Sequence, residues 1–188
     1  MKRIGFILAG VALALASCGG SAETGPTTET GSPTAEPNVR AIAVYAAVVR
    51  QLVTEDHTFG DEESPFDRVF IDVRIDEGAG DPLDTNPPVG DRLTGEEQAA
   101  ILRELADLPR VAFVADPDSV IVGEKSCAHV KGNGVLITLG PIAGDADRVT
   151  VPNSMFFACL GGQWLTYVLE SADGDWRVTG TEGPIGIS

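Results

Sequence analysis

The sequence predicts an α+β fold: two helices packed on one face of a curved antiparallel β-sheet. Three observations carry this. Two stretches, 39–54 and 95–108, repeat apolar residues at helical spacing. One stretch, 66–75, alternates as a half-buried strand does. From residue 111 onward, short apolar runs are separated by turn residues, and short turns give antiparallel neighbours. The order helix, strand, helix, then four or five strands joined by short turns, with the helices gathered on one face of the sheet, is the layer pattern of an α+β domain.

The first helix follows Pro37 and Asn38, with Asn38 a fitting N-cap. Ile42, Tyr45, Ala46, Val49, Leu52 and Val53 make its apolar face, and Arg40, Arg50 and Gln51 lie off it. It should end near Glu55 and Asp56, where a polar, acidic loop begins. In the strand that follows, Val69, Ile71, Val73 and Ile75 alternate with Phe70, Asp72 and Arg74. One face is expected to be buried and the other mixed. Residues 76–91 read as a loop rich in Gly, Pro and Asp. Thr94 and Glu97 form a capping box, each satisfying an orphan amide of the other. The helix behind them should bury Ile101, Leu102, Leu105 and Leu108, and Pro109 stops it.

The β region is expected to hold runs at 111–114, 119–122 and 135–142. Residues 148–151 begin a further strand that 155–160 continues or repeats. Gly161-Gly162 reads as a two-residue hairpin turn before a strand at 163–170, and Asp173-Gly174 as a second turn before 176–180. Residues 181–188 form a Gly-rich tail.

The domain has a leader. Met1-Lys2-Arg3 is a short positive segment, and residues 4–16 are apolar with small residues near the end. That is the layout of a secretory signal peptide. The run is shorter than the ~20 apolar residues needed to span a bilayer. Leu15-Ala16-Ser17-Cys18 closes it. These 18 residues resemble the leader and lipobox of bacterial lipoproteins. The resemblance implies cleavage before Cys18, a diacylglycerol on its sulfur and acylation, such as palmitate, at the new amino terminus. Two or more acyl chains anchor stably, at about 0.8 kcal/mol per buried methylene. Residues 1–17 are then a signal peptide, 18–37 an anchored linker and 38–188 one domain. The linker has no large apolar residue, so it has no core to join and should be disordered. Its composition suits a spacer, and its threonines are also acceptors for O-linked sugar.

Charge narrows the partners. The chain carries 13 basic and 28 acidic residues, a formal net charge of −15. Loss of residues 1–17 removes Lys2 and Arg3 and no acid, which makes the balance more acidic still. This argues against nucleic acid and against adsorption on anionic lipid. Assigning Cys18 to lipid leaves Cys127 and Cys159, an even pair that an oxidising compartment would join. The rival arrangement is an open zinc site with His129, but there is no C-x-x-C spacing to support a metal.

Sites of chemistry are sparse. The two histidines, His57 and His129, lack a G-x-S-x-G elbow or any fixed partner. His57 should be solvated in its acidic loop. Residues 123–126 (Gly-Glu-Lys-Ser) lack the upstream glycine of a phosphate loop. Asp76, Glu77, Asp81, Asp84 and Asp91 do not follow the EF-hand spacing and read as a solvated loop. No cofactor or metal is expected.

The closing pattern, an aromatic strand, then Asp173-Gly174, then Trp176-Arg177-Val178, resembles the end of NTF2-like and cystatin-like domains. There a long helix crosses a curved sheet to make a cone. Trp164, Tyr167 and Trp176 lie on adjacent expected strands, where they either fill ordinary core or line, with Phe156 and Phe157 beside them, the mouth of a cone-shaped pocket for a small apolar ligand. Asp72 is the acid set between apolar neighbours. Two functions are in play. One is a non-enzymatic, lipid-anchored module on the extracytoplasmic face of the cell membrane, binding another envelope protein. The other is an NTF2-like enzyme or small-ligand binder with Asp72 or His129 inside the cone. A solute receptor would ordinarily be larger and two-lobed. Fold alone does not choose between these.

Overall fold

The computed structural model describes residues 38–57, 65–84, 89–124 and 126–188. The leader, Cys18 and the linker lie outside the described residues.

Helix α1 runs Val39–Thr54 and α2 runs Gly95–Glu104. Both begin as their sequences dictate. Asn38 accepts from the amide of Ala41 at 3.2 Å, and Thr94 and Glu97 complete the reciprocal capping box. The buried arc of α1 is wider than the apolar stripe, since Val44 and Val48 are buried too. The helix packs against α2 and against the sheet, so more than one flank leaves water. The second helix ends at Glu104, well before Pro109. Leu105 caps it and is buried, whereas Leu102 and Leu108 are half-buried.

The strands are β1 (Arg68–Asp76), β2 (Val89–Arg92), β3 (Val111–Val114), β4 (Ile121–Val122), β5 (His129–Val130), β6 (Gly134–Leu139), β7 (Ala143–Gly144), β8 (Arg148–Ala158), β9 (Gly161–Ala172) and β10 (Asp175–Ile187). A 3-10 turn, Pro117–Val120, precedes β4. The main order is β10-β9-β8-β6-β1-β2, and β3 lies beside β1 on the β2 side. Among the described residues the fold is α+β, with two helices and a large open sheet.

That sheet is mixed, which corrects the expected antiparallel one. Strand β1 is parallel to both β3 and β6, while β6, β8, β9 and β10 are antiparallel in turn. The chain between β1 and β3 contains α2, a connection long enough to bring a strand back in parallel. Flanked on both edges, β1 is also covered on both faces. Val69, Ile71 and Ile75 join the helix-facing core, and Phe70 joins a second cluster with Val120, Val130 and Leu136. The face expected to be mixed is thus largely buried as well, with Phe70 and Asp72 both out of water.

Both helices sit on the first of these faces, as their shared core with odd-numbered residues of β1, β8 and β9 shows. Each fully buried Val, Leu or Ile there contributes about 1.5–3 kcal/mol relative to exposure. Residues 148–158 are one strand, continuous through Pro152 and Asn153. The turn between β8 and β9 is Cys159-Leu160, two residues earlier than Gly161-Gly162. The glycines lie in the strand instead. A Cβ on Gly161 would meet the Phe157 ring at 2.2 Å, so the ring occupies the space a side chain would need.

Candidate functional site

The sheet's alternation decides what the aromatic residues can build together. Tyr167 and Trp176 face the helices. Phe156 packs in the second cluster, on the other face. Trp164 is one position from Leu165, which faces the helices, and pairs with Ser154 rather than with a core residue, so it too belongs to the other face. Asp72 follows Phe70 on that same face. The five residues expected to share one pocket are thus split between two sides of a sheet, and the single aromatic pocket is corrected. A period of two sends neighbouring positions within a strand to opposite faces, and the register between strands, which puts Trp176 opposite Ser171, decides which positions of different strands share a face.

Each member has its own role. Tyr167 is fully buried, and its hydroxyl donates to Asp56 Oδ2 at 2.7 Å. Burial, reinforced by the Asp56 carboxylate, pushes its phenol well above the ordinary range. Asp72 is 2% exposed, and Arg74 engages both of its oxygens. The Arg74 amide adds a third donor at 3.0 Å. The Arg74 guanidinium is raised above its usual range, chiefly by the hydrogen bond to Asp72. A carboxylate saturated this way is a structural ion pair, not an acid poised for a substrate. His57 is 1% exposed, with its ring edge-on to Phe66 at 6.4 Å, so it is core and not solvated. His129 is exposed on β5.

Cys127 and Cys159 are joined in a disulfide, with Cα atoms 4.2 Å apart. The Cys159 amide donates to the carbonyl of Ala128 at 2.7 Å, so backbone and sulfur both tie the segment before β5 to the end of β8. Asp76 and Asp81 accept from Gly78 and Leu83 amides, which spends their carboxylates on loop shape. Among the described residues no group of three or more metal-ligating side chains converges.

No protein-family model, curated protein or solved structure matches this chain.

A further concavity lies between the outward side of α1 and the start of β10. It has a volume of about 520 Å³. Ala43, Ala46 and Ala47 give it a floor because their side chains are small. Trp176 and Val178 form one wall, and Arg50, Gln51 and Glu104 the other. Asp175, Arg177 and Glu55 reach the rim. Two contacts fix the walls. Arg40 lies over the Trp176 ring at 5.5 Å from its centroid and donates to the carbonyl of Asp145. Arg50 grips Asp107 with both terminal nitrogens and donates to the Glu104 carbonyl at 2.8 Å. That hydrogen bond holds the Asp107 carboxyl below its usual range and raises the Arg50 guanidinium. The groove is open, aromatic on one side and charged with both signs. It suits a protruding segment of another molecule better than an enclosed small apolar ligand. Sequence reading missed it, because Ala43 and Ala47 are unremarkable on a helix until β10 arrives opposite them. The one available signal was that Trp176 opens a strand after Asp173-Gly174.

Proposed function

We propose that this chain is a lipid-anchored, non-enzymatic binding module on the extracytoplasmic face of a bacterial cell membrane. One observation carries the proposal: Leu15-Ala16-Ser17-Cys18 stands directly after a short charged and apolar leader and directly before a coreless linker. The Cys127–Cys159 bond supports it, because disulfides persist in oxidising compartments. The groove between α1 and β10 is the surface we assign to a protein partner. The saturated Asp72 weighs against an acid-base role. Two helices on one sheet face support a relation to NTF2-like cones, and the parallel pairs of β1 depart from the meander on which that relation was drawn.

Expression of the full chain in a bacterial host with a clickable palmitate analogue tests the anchor. Label should be incorporated and the protein should sediment with membranes. Cys18→Ser should lose the label and leave the sedimenting fraction with its thermal midpoint unchanged. Unlabelled wild-type protein would overturn the reading.

A further inference from the structure

We propose that a second site, at the start of β1 and β3, binds a phosphate group between Arg68 and Arg110. The two strands are parallel, with Val69 paired to Val111. Arg68 and Arg110 are therefore the residues just before a paired position on adjacent chains, and the Val69 amide donates to the Arg110 carbonyl at 3.3 Å. Both line one cavity of about 400 Å³, with Asp67 and Gly132. Two cationic side chains that line one cavity from neighbouring strands repel, a cost that sequences ordinarily avoid. The usual remedy is a carboxylate, and this chain has 28 acids for 13 bases. Arg50, Arg74 and Arg148 each take one. Neither Arg68 nor Arg110 forms an ion pair with any described residue. Arg40, Arg92, Arg103 and Arg177 lack one as well, but they do not share a described cavity with another unpaired arginine.

The cavity is also shaped. Gly132 has φ +69°, and a Cβ there would stand 3.0 Å from Arg68 Nε and 3.1 Å from its Cδ. The Arg68 side chain thus passes close to bare backbone, in space that a side chain at position 132 would crowd. Among the described residues Asp67 is the one carboxylate in the lining, and its Oδ2 lies 3.4 Å from Asn133 Nδ2, which donates to it. A phosphate dianion matches two guanidiniums in charge and in acceptor geometry, where a single carboxylate would match one. The phosphate has two possible sources, a soluble phosphate or phosphoester and a lipid headgroup.

Calorimetric titration of the full chain carrying Cys18→Ser with inorganic phosphate tests the site. Binding is expected, weakened about tenfold or more in Arg68→Gln and in Arg110→Gln, because each removes one charge-assisted contact. Asp67→Asn should tighten binding, and Arg103→Gln should leave it unchanged. Flotation of the same proteins with phosphatidylglycerol vesicles separates the sources. Arg68-dependent flotation assigns the phosphate to lipid, and phosphate binding without flotation assigns it to a soluble ligand. Absence of binding heat, or binding by both glutamine variants as tight as that of the parent protein, overturns the proposal. So does loss of binding in Asp67→Asn, which would make the carboxylate rather than the two arginines the group that binding needs.

Discussion

Tyr167 and Asn153 lie near each other on the helix-facing side of the sheet, and burial treats their polar atoms differently. The Tyr167 hydroxyl has its partner in Asp56. The Asn153 amide nitrogen donates to the Val151 carbonyl at 3.0 Å, but its oxygen is buried with no partner among the described residues. A made hydrogen bond is worth about 1 kcal/mol, and an orphaned polar atom costs about 1–3 kcal/mol. Tyr167→Phe should therefore lower the unfolding free energy by about 1 kcal/mol in denaturant titration. Asn153→Val should raise it by a similar amount, since Val favours strands and removes the orphan. A drop in stability for Asn153→Val would show that the Val151 contact outweighs the orphan. Asp107 predicts a pH effect. Its carboxyl is depressed in the folded state by Arg50. A depressed carboxylate adds stability above its unfolded value, about 3.9, and loses it as pH falls through the folded value. The pair is exposed, so the contribution is about 0.5 kcal/mol. Asp107→Asn should make the denaturation midpoint fall less steeply with pH below about 5, and an unchanged slope would sink this.

At the scale of elements, the sequence was readable wherever a local rule decided the outcome. The capping box, the first N-cap, the Asp173-Gly174 turn and the pairing of Cys127 with Cys159 are all local or combinatorial signals, and all are present. What local rules do not encode was misplaced. Strand β2 is four residues with two charges and no alternation, and it exists because the end of β1 offers a free edge. Strand β10 continues through Gly180, Gly183 and Pro184 to Ile187, where composition read as a tail, because β9 is long enough to template it. Pro184 is tolerated there since β10 pairs only with β9, leaving its other side as an edge. The parallel partners of β1 depend on where β3 and β6 return, which no periodicity states. Of the candidate site, the cysteines were legible and the pocket was not, because the register between strands decides which positions of different strands share a face. The disulfide carries its own prediction. It closes a loop with a sequence separation of 32, for which the chain-entropy account gives about 3–4 kcal/mol. Replacing both Cys127 and Cys159 with Ser should lower the unfolding free energy by about that amount, with a steeper denaturant slope because the unfolded chain is no longer cross-linked. A loss near zero would place the stability elsewhere.

At the scale of the whole molecule, the sheet separates three surfaces that a single pocket would have merged. The groove between α1 and β10 lies on the helix-bearing side. The ion pair of Asp72 and Arg74 lies on the other face, and the arginine cavity lies at the starting end of β1. A module with separate surfaces can meet a partner at one while another stays free. The groove is the surface whose occupant is set by shape, since three alanines leave room that Trp176 borders. Filling it should abolish contact without unfolding the domain. Ala47 is half-buried at the groove floor, so Ala47→Trp would place its ring in open volume, with a change in stability of about 0.5 kcal/mol or less. A photo-crosslinking residue at the Arg177 position, in the anchored protein in its native membrane, reports the contact. It should yield a discrete adduct that disappears when Ala47→Trp is added, while the same crosslinker at Glu96 on α2 gives none. Adducts that persist with the groove filled, or that form equally from Glu96, would show that partners do not use this surface.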